Sequence, residues 1–412
     1  MRVLWFAVTA SMYESKTNNH NGGGWISSLE RIVKSVDDIE LGIAFEHTDH
    51  IFKKEIDDVV YYPINAWTST LSRLEKKAQV KSEEKYIIPK CMKVIEDFNP
   101  DVIHVFGSEW CFGLIAKHTQ IPVVIHMQGS LPSYYNARFP VGVSLLNILF
   151  SSSNSLLEKV RYWRNDLIFK KKAIREEEIL RLCKNFMGRT HWDKSIVNVY
   201  NSQANYYFCN EALRDSFIET KINWCFSENK KIIIVSTLSG PLYKGIDVVL
   251  KTAKLLKENT LLDFEWRIYG SSDCKFYEKH FSILATEVNV KMMGTVTQEV
   301  LLDGLLEASF YVHPSYIDNS PNSVCEAQII GVPVICTNVG GVSSLVEEGK
   351  TGFLVPANDP IKIADIVVSN YNNKSLLSEI SNNEIDVAKK RHNSESIKTD
   401  LIMTYKALMV NS

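Results

Sequence analysis

Short, continuously apolar runs alternate with longer mixed stretches along the first half of the chain. The apolar runs predict buried strands at 3–8, 41–45, 102–106, 123–127 and 206–209, with helices at 25–34 and 83–98. Uninterrupted apolar strands separated by helices are typical of a parallel sheet covered on both faces. Residues 141–185 break this rhythm, and we interpret them as a helical insertion.

The alternation restarts after a polar stretch at 220–230, which we interpret as a hinge. Strands are predicted at 232–236, 264–269, 290–293, 310–313 and 332–336, with helices at 246–256, 277–288 and 299–306. Residues 374–411 are helical and add no strand. The pattern therefore predicts an α/β protein with two parallel-sheet domains, 1–222 and 223–393, followed by a last helix at 394–412.

Composition narrows the class of protein. The chain has 412 residues, 45% of them hydrophobic, and a formal net charge of −2, so no overall positive field favours nucleic acid. Its eight cysteines form no C-x-x-C pair and several lie in apolar runs, which indicates reduced core thiols in a cytoplasmic protein. The opening MRVLWFAVTA could be a signal peptide, but the glycine-rich turn and helix after it favour a buried first strand. No apolar run is long enough for a membrane-spanning helix, so we expect any membrane attachment to be peripheral.

The most specific pattern lies between residues 313 and 356. Asp318 and Glu326 stand eight positions apart, on a loop and a helix that connect two apolar strands. Asn322 and Ser323 are expected to open the helix, whose amino end suits a phosphate. Glu326 could then bind a diol such as a ribose, and Asp318 could face the group that the phosphate carries. For either acid alone, a turn cap or a solvated helix residue would be the better interpretation.

The short sequence motifs around these acids resemble those of family 4 retaining glycosyltransferases. They are HPS before the loop, GVPVI after the helix, a GG turn and EEGKTGFLVP, which is predicted to contain a closing strand. The resemblance implies a GT-B fold: two Rossmann-like domains facing across a cleft, with the last helix crossing back to the first domain. It assigns 1–222, with its insertion at 141–185, to the acceptor and 223–393 to a nucleotide-sugar donor. Two positions depart from the family: Asp318 replaces the usual Glu, and Ser239 stands where an Arg usually precedes the lysine described next.

Roles for individual residues follow from the same resemblance. It implies catalytic roles for Lys244 at the leaving phosphate, Asp318 at the donor sugar and His126 near that sugar. The substrate-binding residues that it implies are Gly23, Gly24, Gly240, Gly294, Thr295, Asn319, Ser320, Asn322, Ser323 and Glu326. Lys244 could instead be a solvated lysine, His126 a structural histidine, and the glycines at 22–24 an ordinary tight turn. Asp193, Glu211 and Arg214 fit either a polar network near the cleft or helix capping with an internal ion pair.

The predicted reaction needs no cofactor and no metal. No D-x-D is present, and the residues from Glu46 to His50 are interpreted as a solvated loop rather than a metal site. We expect a hexose or N-acetylhexosamine donor, with UDP favoured, and a glycan or lipid-linked acceptor in bacterial surface polysaccharide or lipopolysaccharide synthesis. Apolar and basic residues within 141–175 predict an anionic membrane surface as a further partner. The alternatives are another GT-B enzyme, such as a nucleotide-sugar 2-epimerase, and a non-catalytic two-lobed sugar-binding protein.

Overall fold

The structure is a computed structural model that describes residues 1–13, 24–78, 81–151, 155–228, 231–271 and 273–410. Its strands are β1 (Arg2–Ala7), β2 (Glu40–Glu46), β3 (Lys54–Ile56), β4 (Val59–Ile64), β5 (Val102–Phe106), β6 (Val123–His126), β7 (Asn185–Gly188), β8 (Asn205–Phe208), β9 (Ile232–Thr237), β10 (Phe264–Tyr269), β11 (Val290–Gly294), β12 (Phe310–His313), β13 (Val334–Thr337) and β14 (Phe353–Val355). Its α-helices are α1 (Gly24–Lys34), α2 (Thr70–Ala78), α3 (Lys81–Tyr86), α4 (Ile88–Phe98), α5 (Leu131–Asn136), α6 (Leu145–Phe150), α7 (Leu156–Leu182), α8 (His191–Tyr200), α9 (Asp215–Ile218), α10 (Ile246–Asn259), α11 (Lys275–Phe281), α12 (Gln298–Leu306), α13 (Asn322–Ile330), α14 (Pro360–Asn370), α15 (Lys374–Arg391) and α16 (Ser394–Val410).

The chain divides into two compact units. The first comprises residues 1–135, 166–214 and 392–412, and the second comprises 136–165 and 215–391. This division differs from the predicted 1–222 and 223–393, because residues 136–165 and 215–222 belong to the second unit. The last helix, α16, belongs to the first unit.

The first unit contains an eight-stranded sheet in the order β3-β4-β2-β1-β5-β6-β7-β8. Every pairing is parallel except that of the short strand β3 with β4. The central strand β1 is buried from Val3 to Ala7, which confirms that the apolar start of the chain is a core strand. Helix α16 adds Leu401 and Tyr405 to the same core cluster.

The second unit contains a six-stranded parallel sheet in the order β11-β10-β9-β12-β13-β14. Strands β9 and β12 pair in parallel although 72 residues (238–309) lie between them in the chain, so the loops that follow them lie at one edge of the sheet. The predicted strands at 264–269 and 310–313 match β10 and β12 residue for residue.

Several predicted elements were divided or missed. The predicted helix at 83–98 is two helices. The second, α4, has Pro89 in its first turn, where the N–H that proline lacks would have no partner within the helix. The predicted helix at 277–288 ends at Ser282 in a left-handed conformation and resumes as a short 3₁₀ turn. Strands β3, β4 and β7 were not predicted.

Within the described residues, no helix is both long enough and apolar enough to cross a membrane. All eight cysteines are free, and all except Cys225 are buried.

Candidate active site

A lysine and an aspartate from two neighbouring loops meet in the second unit. Lys244 lies in a 3₁₀ turn that follows β9, and Asp318 lies in the loop that follows β12. The Nζ atom of Lys244 is 2.6 Å from Oδ2 of Asp318. The aspartate is 7% exposed, so the pair is largely shielded from water. The structure thus brings together two of the three predicted catalytic residues.

His313 is a third member of this cluster, and sequence reasoning gave it no role. It is the last residue of β12 and is buried. Its Nε2 atom lies 3.0 Å from the same Asp318 oxygen, although the orientation falls short of a regular hydrogen bond. The HPS motif in front of the loop could have indicated this role, because it places an imidazole at the carboxyl end of a strand.

The cluster keeps Asp318 ionised. Burial raises the pKa of the carboxyl, but the Lys244 ammonium and the His313 ring together outweigh burial. The pKa of Asp318 therefore lies well below its ordinary value. The backbone amide of Asn319 donates a further hydrogen bond to its Oδ1 atom, at 3.0 Å.

Close backbone packing fixes both loops. Gly245 has a φ of +83°, and a Cβ there would lie 2.2 Å from the carbonyl oxygen of Pro314. The amide of Tyr316 donates to the carbonyl of Tyr243 at 2.8 Å, which ties the lysine loop to the aspartate loop. A side chain at Gly245 would push these loops apart.

A glycine pair supports the aspartate from the other side. Gly340 has a φ of +53°, and a Cβ there would lie 1.9 Å from the carbonyl oxygen of Asp318. The amide of Gly341 donates to the same carbonyl at 3.1 Å. The GG turn in the sequence is therefore part of the framework of the site.

Helix α13 begins beside this cluster. It starts at Asn322, as predicted, and Pro321 precedes it without a side-chain cap. Asn319, Ser320 and Glu326 are buried, and Ser323 is half-buried in the first turn. The amino end of a helix carries partial positive charge, so this end and Lys244 both favour an anion.

The remaining predicted residues of the second unit lie at the ends of β9 and β11. Gly240 is exposed, and a Cβ there would meet open space, so packing within the unit gives no reason for a glycine. Gly294 ends β11 with a φ of +69°, and its carbonyl accepts from Gly270 at 2.8 Å. Thr295 follows it and is exposed.

The other predicted site residues belong to the first unit. Gly24 begins α1, and the Arg214 side chain packs against it, 3.3 Å from the position of a Cβ. Gly23 lies outside the described residues. His126 ends β6, is fully buried and stacks against His104 and Phe106. Burial lowers the pKa of His126 well below its ordinary value, and His104 and the Arg189 cation lower it further.

The open question about the acids at 193 and 211 has a structural answer. Asp193 forms a capping box with Thr190 at the start of α8, and Glu211 pairs with Arg189 at a buried position. Helix capping and an internal ion pair therefore account for both acids.

Within the described residues, no group of three or more His, Cys, Asp or Glu is arranged to hold a metal ion. In the loop after β2, Nδ1 of His47 lies 3.5 Å from Oδ2 of Asp49, which also accepts from the Tyr13 hydroxyl at 2.6 Å.

Comparison with known proteins finds a family-model match over the segment that contains this geometry. Residues 219–387 match the family model of glycosyl transferases group 1. This segment contains the Lys244–Asp318 pair, His313, Glu326 and the glycine pair. The capsular polysaccharide biosynthesis glycosyltransferase CapM of Staphylococcus aureus is 28% identical over 222 residues, which is 53% of this chain and 57% of CapM. Over all the curated relatives considered, the aligned segments span 18 to 57% of the relative's length.

Solved structures match over the whole chain. Sucrose-phosphate synthase from Thermosynechococcus elongatus superposes with a TM-score of 0.72 and 14% identity, covering 100% of both chains. Anabaena HepE in complex with UDP-glucose superposes with a TM-score of 0.62 and 13% identity, covering 99% of this chain and 100% of HepE. The chain thus carries a glycosyl transferases group 1 match in its second unit, and its two parallel-sheet units have the GT-B fold.

Proposed function

We propose that this protein is a retaining, metal-independent glycosyltransferase of family 4. It transfers a hexose or N-acetylhexosamine from a nucleotide-sugar, with UDP favoured, to a glycan or lipid-linked acceptor. The observation that carries the proposal is the buried contact of Lys244 with Asp318 beside the amino end of α13. The group 1 match over these residues and the UDP-glucose complex of HepE support it.

The departing diphosphate defines the role of Lys244. Negative charge grows on the phosphate as the glycosidic bond breaks, and a fixed ammonium in a shielded site stabilises that charge. The amino end of α13 adds partial positive charge, which takes the place of a divalent cation. The side chain at 239 is a serine, so Lys244 is the cation that this motif supplies.

Asp318 and Glu326 serve the two sugars of the donor. Asp318 is held ionised and accepts hydrogen bonds from hydroxyl groups of the transferred sugar. Glu326, four residues into α13, binds the ribose hydroxyls. The acceptor attacks from the face that the diphosphate leaves, and the leaving phosphate oxygen takes the proton, so no separate base is required.

The experiment is a calorimetric titration with UDP, GDP, UDP-glucose and UDP-N-acetylglucosamine, followed by release of UDP in turnover with the sugar that binds. Saturation by a uridine ligand and retention of anomeric configuration are expected. Binding of free sugar without any nucleotide dependence would favour a sugar-binding protein. Interconversion of two UDP-sugars would favour an epimerase.

Support for the proposed pathway comes from the relatives rather than from the site. CapM is named for capsular polysaccharide biosynthesis, and other relatives are named for colanic acid and amylovoran biosynthesis. We place the acceptor in the same class, a growing bacterial surface polysaccharide or lipopolysaccharide handled at the cytoplasmic face of the membrane.

An exposed apolar and basic segment supports contact with that membrane. Within the second unit, the exposed large apolar side chains of this segment are Val141, Leu146, Phe150, Leu156, Leu157, Val160, Tyr162 and Trp163. Arg161 and Arg164 are exposed among them. Apolar side chains of this size insert at a lipid interface, and each basic residue near an anionic surface adds about 1 kcal/mol.

The structure corrects one detail of the predicted basic segment. Arg175 is buried, pairs with Glu83 and donates to the carbonyl of Glu109, so it cannot reach a membrane. Lys170 and Lys171 are exposed farther along α7.

Vesicle sedimentation tests the membrane surface. The wild type should bind vesicles that contain anionic lipid and should leave them as salt increases. The double variant Arg161→Glu with Arg164→Glu should lose binding, and Leu156→Ser with Leu157→Ser should weaken it. The matched control is Lys389→Glu with Lys390→Glu, the same charge change on exposed residues of α15. Equal loss in the control would mean that net charge, and not this surface, determines binding.

A further inference from the structure

A chain of buried hydrogen bonds crosses the first unit from α16 to the end of β6. The indole Nε1 of Trp5 donates to the Tyr405 hydroxyl at 3.0 Å. The same hydroxyl lies 2.6 Å from Nδ1 of His104, and Nε2 of His104 lies 3.2 Å from Nδ1 of His126. All four side chains are fully buried. We call this chain of four residues the relay.

The direction of the relay is fixed at its first member. An indole N–H can only donate, so the Tyr405 oxygen accepts from Trp5, and the Tyr405 hydroxyl proton needs an acceptor other than Trp5. Within the described residues the other partner of this hydroxyl is Nδ1 of His104, so the hydroxyl donates to it. Nδ1 of His104 is then an acceptor, which in a neutral ring puts the proton on Nε2. That Nε2 donates to Nδ1 of His126, and the proton of His126 is left on Nε2.

This argument requires neutral rings, and the surroundings supply them. Burial lowers the pKa of His104 to about 3. Burial, His104 and the Arg189 cation lower the pKa of His126. Besides His104, the rings against His126 are Phe106 and Trp25, which carry no charge.

The relay ends at an atom that has no partner. Nε2 of His126 is buried and has no hydrogen-bond partner within the described residues. An unpaired buried donor is unfavourable, so its presence at the carboxyl end of β6, a parallel strand inside the sheet, indicates that another molecule provides an acceptor.

We infer that Trp5, Tyr405 and His104 are positioning residues that hold His126 as a neutral hydrogen-bond donor through Nε2, directed at an oxygen of the substrate. His126 then cannot serve as a general base, because its only outward nitrogen already carries a proton. The direction of the relay stands without any assumption about function. The identity of the acceptor as a substrate oxygen rests on the proposed function.

Nuclear magnetic resonance of ¹⁵N-histidine-labelled protein tests the direction. Signals of His104 and His126 are assigned with His104→Gln and His126→Gln. Both residues should show the Nε2–H tautomer in the wild type and should not titrate between about pH 5 and 8. A His126 ring protonated on Nδ1, or one that titrates in this range, would overturn the relay.

Tyr405→Phe removes the hydroxyl that links Trp5 to His104. Both tautomers of each histidine should then be populated. Tyr62→Phe is the matched control, because it removes a hydroxyl that donates to Asp97 at 2.7 Å in the same unit but outside the relay. It should leave both histidine signals unchanged. If Tyr405→Phe fails to fold, Trp5→Phe removes the donor that fixes the direction and should also mix the tautomers. Unchanged tautomers in a folded variant of either kind would contradict the role of positioning.

A kinetic measurement separates this inference from the proposed function. The probes are UDP, for binding, and UDP-glucose, for slow hydrolysis. His126→Gln keeps a donor near the Nε2 position and should retain about two- to tenfold more hydrolysis than His126→Ala, the range expected for one neutral hydrogen bond. Equal rates in the two variants would contradict the donor role. Failure of UDP to bind the wild type would count against the proposed function, while the tautomers would still decide the relay.

Discussion

The site around Asp318 in the second unit contains opposite charges, whereas the relay that ends at His126 in the first unit contains four neutral groups. Both are buried. The aspartate remains ionised because a lysine lies 2.6 Å away, and the histidines remain neutral because burial and, for His126, the Arg189 cation lower their pKa values. The buried titratable groups are therefore charged in the second unit and neutral in the first. The nearest partner of each group decides its charge state.

The two sites also differ in the loss of stability expected when one side chain is removed. Removing one ion of a buried pair leaves an uncompensated charge, which typically costs about 3–5 kcal/mol. Removing one neutral hydrogen-bond partner typically costs about 1–3 kcal/mol. We therefore expect the largest effects of substitution in the second unit.

Lys244→Ala should have the largest effect on the reaction. Turnover should fall by about 10²–10³, the usual value of one oxyanion-stabilising group. The variant should also be less stable, since Asp318 is left without its ammonium, so rates must be compared below the melting temperature. Turnover is measured as UDP release from the donor that binds.

Two further variants make this prediction specific. Lys244→Ala combined with Asp318→Asn should recover stability but not turnover. Lys231→Ala is the control lysine, because it breaks an ion pair with Glu265 in the same unit, just before the start of β9 and so at the opposite end of that strand from the Lys244 turn. Normal turnover in Lys244→Ala would mean that another group stabilises the leaving diphosphate.

Glu326→Ala should weaken binding of UDP by about 1.5–3 kcal/mol, the value of a hydrogen bond to a charged group. Uracil, which lacks the ribose, serves as the comparison ligand in the same titration, and its affinity should not change. Glu326→Gln keeps the shape of the buried side chain and should lie between the wild type and the alanine variant. Unchanged UDP affinity in a folded Glu326→Ala protein would rule out the ribose role.

Gly340→Ala should disturb the aspartate through the backbone. The new Cβ would meet the Asp318 carbonyl, and the left-handed φ adds about 1–2 kcal/mol of strain. Gly349→Ala is the matched control: its φ is +71°, but a Cβ there meets no atom within 4 Å. Both variants should lose stability, and only Gly340→Ala should lose turnover. Equal turnover in the two would show that the position of the Asp318 backbone is not critical.

Lowering the pH should reduce the stability of the second unit, because Asp318 becomes protonated. Its folded pKa is depressed, so the pair stabilises the fold above the unfolded pKa of about 4 and loses that contribution as pH falls below it. Denaturant titrations from about pH 6 to 2 should therefore show the wild type converging on Asp318→Asn at the acid end. Asp365→Asn, which removes an exposed ion pair with Lys362, should show little convergence. A constant difference between the wild type and Asp318→Asn over this range would contradict the charged state assigned here.

The smallest expected effect is that of a chelator. On the proposal that Lys244 and the amino end of α13 balance the diphosphate, activity should be the same with EDTA as without it. Loss of activity in EDTA that Mg²⁺ or Mn²⁺ restores would overturn the metal-independent mechanism.

Much of the architecture could be predicted from the pattern of apolar runs. Strands such as β5 and β12 are continuously buried on both faces, so their hydrophobicity defines their bounds. Strand β3 is exposed and antiparallel at the sheet edge, and β7 has four residues directly after the long helix α7. Neither leaves a distinct apolar run, and the pattern therefore missed both.

The sequence by itself determined that Lys244 and Asp318 belong to one motif, that α13 begins at Asn322, and that the first strand is a core strand. Those features depend on local spacing and local hydrophobicity. Only the tertiary structure decided that His313 joins the aspartate, that Gly340 supports it, and that Trp5 and Tyr405 direct two histidines in the first unit. Trp5 and Tyr405 are 400 residues apart in the chain. Such contacts arise when strand order and helix packing bring distant segments together, and no local pattern encodes them.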